Sequence, residues 1–428
     1  MPSIIPLSSF SNTEESSISA TFEDTAVSIV GSSLLNGVEY LILYTVSSGT
    51  SDATTVAEQR VIFGSTTLAE GAERSSSSGT VNHCRGRALT GYFIITGNGI
   101  DTLKIQKRRA FATGTCFFGG FSLIAIPLDQ LTEGEDYEQI TQNADAAEVT
   151  FIAPGSADLI TLTKTTEADN YLVLASCEVD PKTGGTLGCQ TNVDIDGSNQ
   201  KSIVDTFGLF LTGDYSGWSY ARIHNLTAGS HTFKIEVAYA GVGTDPRRWR
   251  RGRIIIFKAS VFDQLVSSID DTQDTVGVNE PTEEEDNSIV YTPNQAEDVV
   301  ILGNIIYKVQ QTFRYTRSYL RNDTDSVEFS KSVGGDNPFS NIGEMFSNGM
   351  FGTENIALGA NTYSIQRTDE NNTTHNKVEN SDIIVWSMTL SIPPPPPTIA
   401  ASKKVTSIDT KHKPASTDTL HGVSSTGV

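Results

Sequence analysis

A heptapeptide returns three times along this chain at a fixed interval of 130 residues, and that interval constrains the fold more than any other feature. Gly99-Ile100-Asp101-Thr102-Leu103-Lys104-Ile105 is followed by Gly229-Ser230-His231-Thr232-Phe233-Lys234-Ile235 and by Gly359-Ala360-Asn361-Thr362-Tyr363-Ser364-Ile365. Each copy reads as a turn glycine followed by a strand with alternate apolar residues. Ile105, Ile235 and Ile365 share one face with Leu103, Phe233 and Tyr363, while Thr102, Thr232 and Thr362 fall on the other. Gly99, Gly229 and Gly359 are expected in tight turns with positive φ. A period kept without gaps predicts three copies of one unit in tandem.

Other segments echo the period. Gly37 to Tyr44 matches Asp169 to Ser176, Ala20-Thr21-Phe22 matches Val149-Thr150-Phe151, and the third copy offers Asn304 to Val309 as a looser match. Each copy closes on an apolar run: Gly120 to Ile126, Arg253 to Ala259, and Asp382 to Met388. Runs this continuous predict strands that are buried on both faces or lie at the centre of a sheet. Short strands with frequent turn signals make the chain all-β, and the only helix candidates are acidic stretches such as Gln139 to Ala147. The expected layout is an N-terminal arm over residues 1–11 and β-sandwich repeats over 12–131 and 132–265. An acidic linker over 266–287, a third repeat over 288–392, and a polyproline spacer with extended tail over 393–428 complete it.

The formal net charge of −21 argues against nucleic acid as a partner. No apolar run reaches the length of a membrane span, and the N-terminus lacks the basic start and apolar core of a secretion signal. Four cysteines (Cys84, Cys116, Cys177, Cys189) are spread unevenly over the repeats, which favours thiols over a disulfide framework and leaves a Cys177–Cys189 bridge open. The six histidines form no metal-ligand spacing, no catalytic constellation stands out, and neither an enzyme activity nor a cofactor is expected. Asp194 and Asp196 make a weak calcium candidate. Asp196-Gly197 is also the favoured type I′ hairpin turn, and the hairpin is the preferred reading.

Two cationic features stand out on so acidic a chain. Arg247-Arg248-Trp249-Arg250-Arg251-Gly252-Arg253 reads as an exposed hairpin that docks onto an acidic subunit or shell surface, with Trp249 as anchor. A solvated hairpin is the bland alternative, and the chain's own linkers are another source of carboxylates. The second feature is the tail beyond Pro393–Pro397, where Lys403, Lys404, Lys411 and Lys413 outnumber Asp409 and Asp418. Its low apolar content calls for a partner to order it.

Strand, turn, Gly-x-x-Thr-apolar-x-Ile and a buried closing strand together resemble the last strands of tumour necrosis factor-like jelly rolls. These modules recur in decoration, fibre and spike proteins of tailed bacteriophages. The resemblance implies jelly-roll domains and a non-enzymatic virion structural protein, most simply one that decorates or stabilises a capsid. It also implies homotrimers, contacts with other virion proteins such as the major capsid protein, and a place on the virion surface after synthesis in the host cytoplasm. A host-receptor-binding fibre, gripping its ligand with aromatics such as Trp218 and Tyr220, and a bacterial surface adhesin are the alternatives.

Overall fold

A computed structural model describes residues 3–51, 55–73, 88–110, 114–142, 148–180, 189–205, 215–239, 246–272, 274–275, 283–308, 316–334, 345–369 and 377–391. The tail lysines Lys403, Lys404, Lys411 and Lys413, and Cys84, lie outside the described residues. The strands form three successive sets. The first contains β1 (Leu7–Ser11), β2 (Glu15–Ser17), β3 (Glu23–Ile29), β4 (Glu39–Thr50), β5 (Val56–Phe63), β6 (Thr66–Glu73), β7 (Ala88–Thr96), β8 (Leu103–Ala110) and β9 (Cys116–Pro127). The second contains β10 (Tyr137–Thr141), β11 (Val149–Phe151), β12 (Gly155–Thr166), β13 (Asp169–Asp180), β14 (Cys189–Ile195), β15 (Ser198–Asp205), β16 (Ser216–Leu226), β17 (Gly229–Tyr239) and β18 (Arg247–Lys258). The third contains β19 (Leu265–Asp270), β20 (Asp274–Thr275), β21 (Glu284–Tyr291), β22 (Glu297–Lys308), β23 (Thr316–Asn322), β24 (Val327–Gly334), β25 (Met345–Ile356), β26 (Asn361–Asp369) and β27 (Lys377–Ser387).

Pairing within a set is nested from the outside inward. In the first, β1 pairs with β9, β3 with β8, β4 with β7 and β5 with β6, all antiparallel. Rolling up that ribbon lays the sheet β1-β9-β4-β7, with β2 also on β9, over the sheet β3-β8-β5-β6. The second set repeats this as β10-β18-β13-β16 over β12-β17-β14-β15, and the third as β19-β27-β22-β25 over β21-β26-β23-β24. The chain is all-β with the jelly-roll strand order.

The heptapeptide strands are β8, β17 and β26, at the same place in each four-stranded sheet. The motif glycines have φ of 72°, 151° and 143° at Gly99, Gly229 and Gly359, as the turns require. The threonine has a backbone role that explains its recurrence. Its carbonyl accepts the N–H at the neighbouring hairpin turn: Gly64 onto Thr102 at 3.2 Å, Asp196 onto Thr232 at 3.0 Å, and Asp323 onto Thr362 at 2.8 Å. Ile105, Ile235 and Ile365 are fully buried.

The central strands bury both faces, each in a different core. Tyr40, Ile42 and Tyr44 of β4 point between the two sheets of the first set, and Tyr171, Val173 and Ala175 of β13 do so in the second. Val299 and Ile301 of β22 follow suit in the third. The residues between them, Leu41, Leu43, Leu172, Leu174, Val300 and Leu302, meet in a fourth core shared by all three sets. Ile124 and Ile126 of β9, Ile255 and Phe257 of β18, and Ile384 and Trp386 of β27 enter the same shared core. Met1–Pro393 is accordingly one compact unit.

Four expectations change. Residues assigned to a free N-terminal arm are folded in: β1 completes a sheet, and buried Ile4 donates its N–H to Met388 O at 2.8 Å. The acidic 266–287 segment is not a bare linker, since it holds β19 and β20 and the start of β21. Its carboxylates are used: Glu283 pairs with Arg321 at 2.7 Å, and Asp286 with buried Arg367. Gln139 to Thr141 are strand, with 143–147 outside the described residues. Finally, the third counterpart of β4 starts at Glu297, and Asn304 lies seven residues into it.

Candidate functional site

The arginine run is neither a docking hairpin nor a solvated one. Arg247 to Arg253 form the first half of β18, between β13 and the short β10 and β11, and Arg247, Trp249, Arg250, Arg251 and Arg253 are all buried. Only Arg248 is partly exposed, beside Glu148. The physical reason lies in its partners. Glu178 of β13 is completely buried and accepts Arg250 Nε at 2.7 Å and Arg251 Nη1 at 2.9 Å on each carboxylate oxygen. Trp249 packs edge-on against Phe151 with ring centroids 5.6 Å apart and donates its indole N–H to Thr191 Oγ1 at 3.0 Å. The Arg247 guanidinium sits over the Tyr239 ring.

Local backbone geometry is tied to this cluster. β18 bulges between the pairs Ser176–Arg253 and Glu178–Arg250, and Arg251 adopts a left-handed φ of 51°. In the first set the bulge of β9 places Gly120 in that conformation, with φ 60°. An arginine there carries strain on the order of 1–3 kcal/mol. Its double contact with Glu178 holds it in place.

The cluster is a joint between the first and second sets. Glu178 accepts the backbone N–H of Glu70 at 2.9 Å, and Arg250 reaches Glu70 Oε2 at 3.5 Å. Arg253 donates to Leu68 O and, at 3.4 Å, to the Tyr44 hydroxyl. Burial pushes the Tyr44 phenol up to about 12. Beside it Ser176 donates to Tyr92 O at 3.1 Å and accepts the Tyr92 N–H.

The same strand positions make the next joint with different chemistry. In the third set Asn304 pairs with Asp382, as Ser176 pairs with Arg253 in the second. Asn304 Nδ2 donates to Ser219 O of β16 at 3.4 Å, and buried Asp382 accepts Arg222 at 3.0 Å. Burial opposes the charge on Arg222, but Asp382 and Asp271 outweigh it, and its pKa is raised. The ring closes where Ser122 of β9 donates to Phe351 O of β25 at 3.2 Å and Tyr92 meets the Phe351 ring edge-on. Strands β7, β16 and β25 thus take equivalent contacts from the next set in cyclic order.

Next to Arg222, half-buried His224 lies 2.6 Å from the Tyr220 hydroxyl. Burial first, then the Arg222 charge, pushes the imidazole down to about 4. A depressed histidine makes the unfolded chain bind the proton first, so its contribution to stability is complete above about 6.5 and lost as pH falls toward about 4. Since His224 is only half-buried, we expect this contribution to be on the order of 1–2 kcal/mol. Melting measured from neutral pH to pH 4.5 should fall more steeply in the wild type than in His224→Asn. Parallel curves refute the assignment.

Other expected site residues are accounted for by the fold. Asp196 and Gly197, with φ of 54° and 81°, form the turn between β14 and β15. Asp194 accepts the Gly197 N–H at 2.8 Å, and Asp196 accepts the Thr232 N–H at 2.8 Å and pairs with His231. Among the described residues no group of three or more histidines, cysteines and acids is placed to hold a metal. Trp218 and Tyr220, expected as exposed gripping aromatics, are buried in the second core, where Cys177 and Cys189 also lie. Among the described residues no helix is long and apolar enough to cross a membrane.

No family model and no curated protein matches the chain. Among solved structures it is similar to one reported as the triple jelly roll fold and turret assembly in an archaeal virus. That match is 10% identical, covers 89% of this chain and 90% of that one, and has a TM-score of 0.20. It is also similar to the infectious bursal disease virus VP2 subviral particle, at 8% identity, 91% and 82% coverage and a TM-score of 0.23. PNGF-II matches at 9% identity, 82% and 98% coverage and a TM-score of 0.24. The fold class of this chain follows from its own strand order.

Proposed function

We propose that this is a non-enzymatic structural protein of a virion, in which one chain supplies a closed block of three jelly-roll repeats that decorates or stabilises a phage capsid. The observation that carries the reading is the fourth core. Leu43, Leu174 and Leu302 occupy equivalent positions and meet in it, so three repeats make within one chain the three-way association that the resemblance expects of separate subunits. Homotrimerisation is then unnecessary for the block itself, and contacts with further copies or with the major capsid protein fall to its outer surfaces and terminal segment. With the arginine run consumed internally, the cationic docking role passes in this reading to Lys403, Lys404, Lys411 and Lys413. The receptor-binding alternative loses support because its aromatics are in the core.

Purified particles provide the test. Quantitative mass spectrometry of the virion should find this chain in hundreds of copies, and dilute protein should sediment as a single chain of 46.1 kDa. A handful of copies per particle moves the reading to a fibre or neck protein. Absence from particles overturns it.

A further inference from the structure

Exposed aliphatic side chains concentrate at one end of the repeats. Val30 and Leu35 between β3 and β4, and Ile100 between β7 and β8, are 54%, 58% and 81% exposed. Their two loops are locked together. Gly99 donates to Leu34 O and Gly37 to Gly97 O, at 2.8 and 2.9 Å, and a Cβ on Gly31 would meet Ile100 O at 2.0 Å. The apolar tips are thus held outward by a rigid crossing of backbone. In the third set Leu358, between β25 and β26, is 70% exposed, and Val290 stands near the end of β21.

This end has two further properties. It is acidic: Asp129, Glu133 and Glu135 follow β9 and are exposed, as is Glu167 before β13, which pairs with Lys258. It is also where the described chain stops, since Ser391 donates its N–H to Val261 O just beyond β18. An occupant of this surface must bring aliphatic groups and positive charge together. A second acidic body does not fit that description, because four lysines and two aspartates give the tail +2, so with a net charge of −21 the rest of the chain carries −23. The segment Thr398–Val428 does: it has Val405, Ile408 and Leu420 among Lys403, Lys404, Lys411 and Lys413.

We propose that the loop crossing around Val30, Leu35 and Ile100, with Leu358 of the third set, is the docking surface for the C-terminal segment of a neighbouring copy. The proposal deepens the structural-protein reading and rests on it. Exposed apolar tips supply the burial, and the carboxylates at the same end select a basic segment and make the contact salt-dependent.

The full-length chain tests this by sedimentation velocity over increasing concentration at low and high salt. The wild type should self-associate at low salt and separate at high salt. Ile100→Asp with Leu358→Asp, and separately Lys403, Lys404, Lys411 and Lys413 all changed to Glu, should each weaken association at least about tenfold. Both variants should keep the wild-type melting temperature, since the altered tips are exposed. Loss of association in the lysine variant alone places the tail elsewhere and overturns the surface. A wild type that stays a single chain at every concentration, or unchanged association in both variants, overturns the proposal. Any of these can happen with normal copy number on particles, so the structural-protein reading stands or falls separately.

Discussion

Replacing Glu178 by Gln should destabilise the protein by about 3–5 kcal/mol, because it strips Arg250 and Arg251 of the carboxylate they share in the interior. A carboxamide cannot neutralise two guanidinium groups, and at Arg251 it also removes what offsets a left-handed backbone. The acceptor for the Glu70 N–H is disturbed by the same change. Urea denaturation of the wild type, Glu178→Gln, Arg251→Gln and the double variant checks the prediction. The double variant should cost clearly less than the two singles added together, as expected for groups in one network. If Glu178→Gln stays within about 1 kcal/mol of wild type, the joint is not held by buried charge.

The second large effect is expected at Trp386. It is completely buried in the core shared by all three sets, with ring centroids 5.1 Å from Phe257 and 4.9 Å from Phe262. Trp386→Ala should cost about 3–5 kcal/mol in lost burial and cavity. Among the described residues its indole N–H meets no acceptor, so Trp386→Phe should cost much less. The location predicts how the molecule fails as well as how much. A side chain that joins three repeats should shift a single cooperative transition, read by calorimetry, and leave no step in which two repeats stay folded. A separate early transition in Trp386→Ala would mean that the repeats unfold independently.

Much of the fold is legible in the sequence, and the limits have physical causes. The heptapeptide and closing runs specify strands because alternation and continuous apolarity report burial directly. Ile124, Ala125 and Ile126 in β9 announce two buried faces, but an apolar run does not say what covers the second one. That partner is another repeat, and nothing local to β9 encodes it. The register of β22 is hidden for a related reason. β22 holds two apolar stretches, Val299 to Leu302 and Ile305 to Tyr307, so composition alone gives no single register, and the stretch that resembles the start of β4 begins seven positions into the strand.

The arginine run is the instructive miss. Charge density argues for solvent unless each charge has a named partner, and the partner here, Glu178, lies in a different strand. The one hint within reach was the apolar company of Glu178 in Ser176-Cys177-Glu178-Val179, an acid inside a strand otherwise fit for the core. Trp249, read as an anchor for another protein, anchors β18 to Phe151 and Thr191 of its own set.

The cyclic order of the three joints has a genetic consequence. In a ring of identical chains each substitution is written at every joint at once, so a change tolerable once is imposed three times. Here each joint is encoded separately: buried Glu178 with arginines at one, Arg222 with Asp382 at the next, Ser122 with Phe351 at the third. A lesion therefore weakens one joint and leaves two to hold the block closed. Each outward loop can also drift without dragging its counterparts along. Only the first repeat combines Val30, Leu35 and Ile100, so a partner can tell one third of the block from the others, a distinction that identical subunits cannot offer.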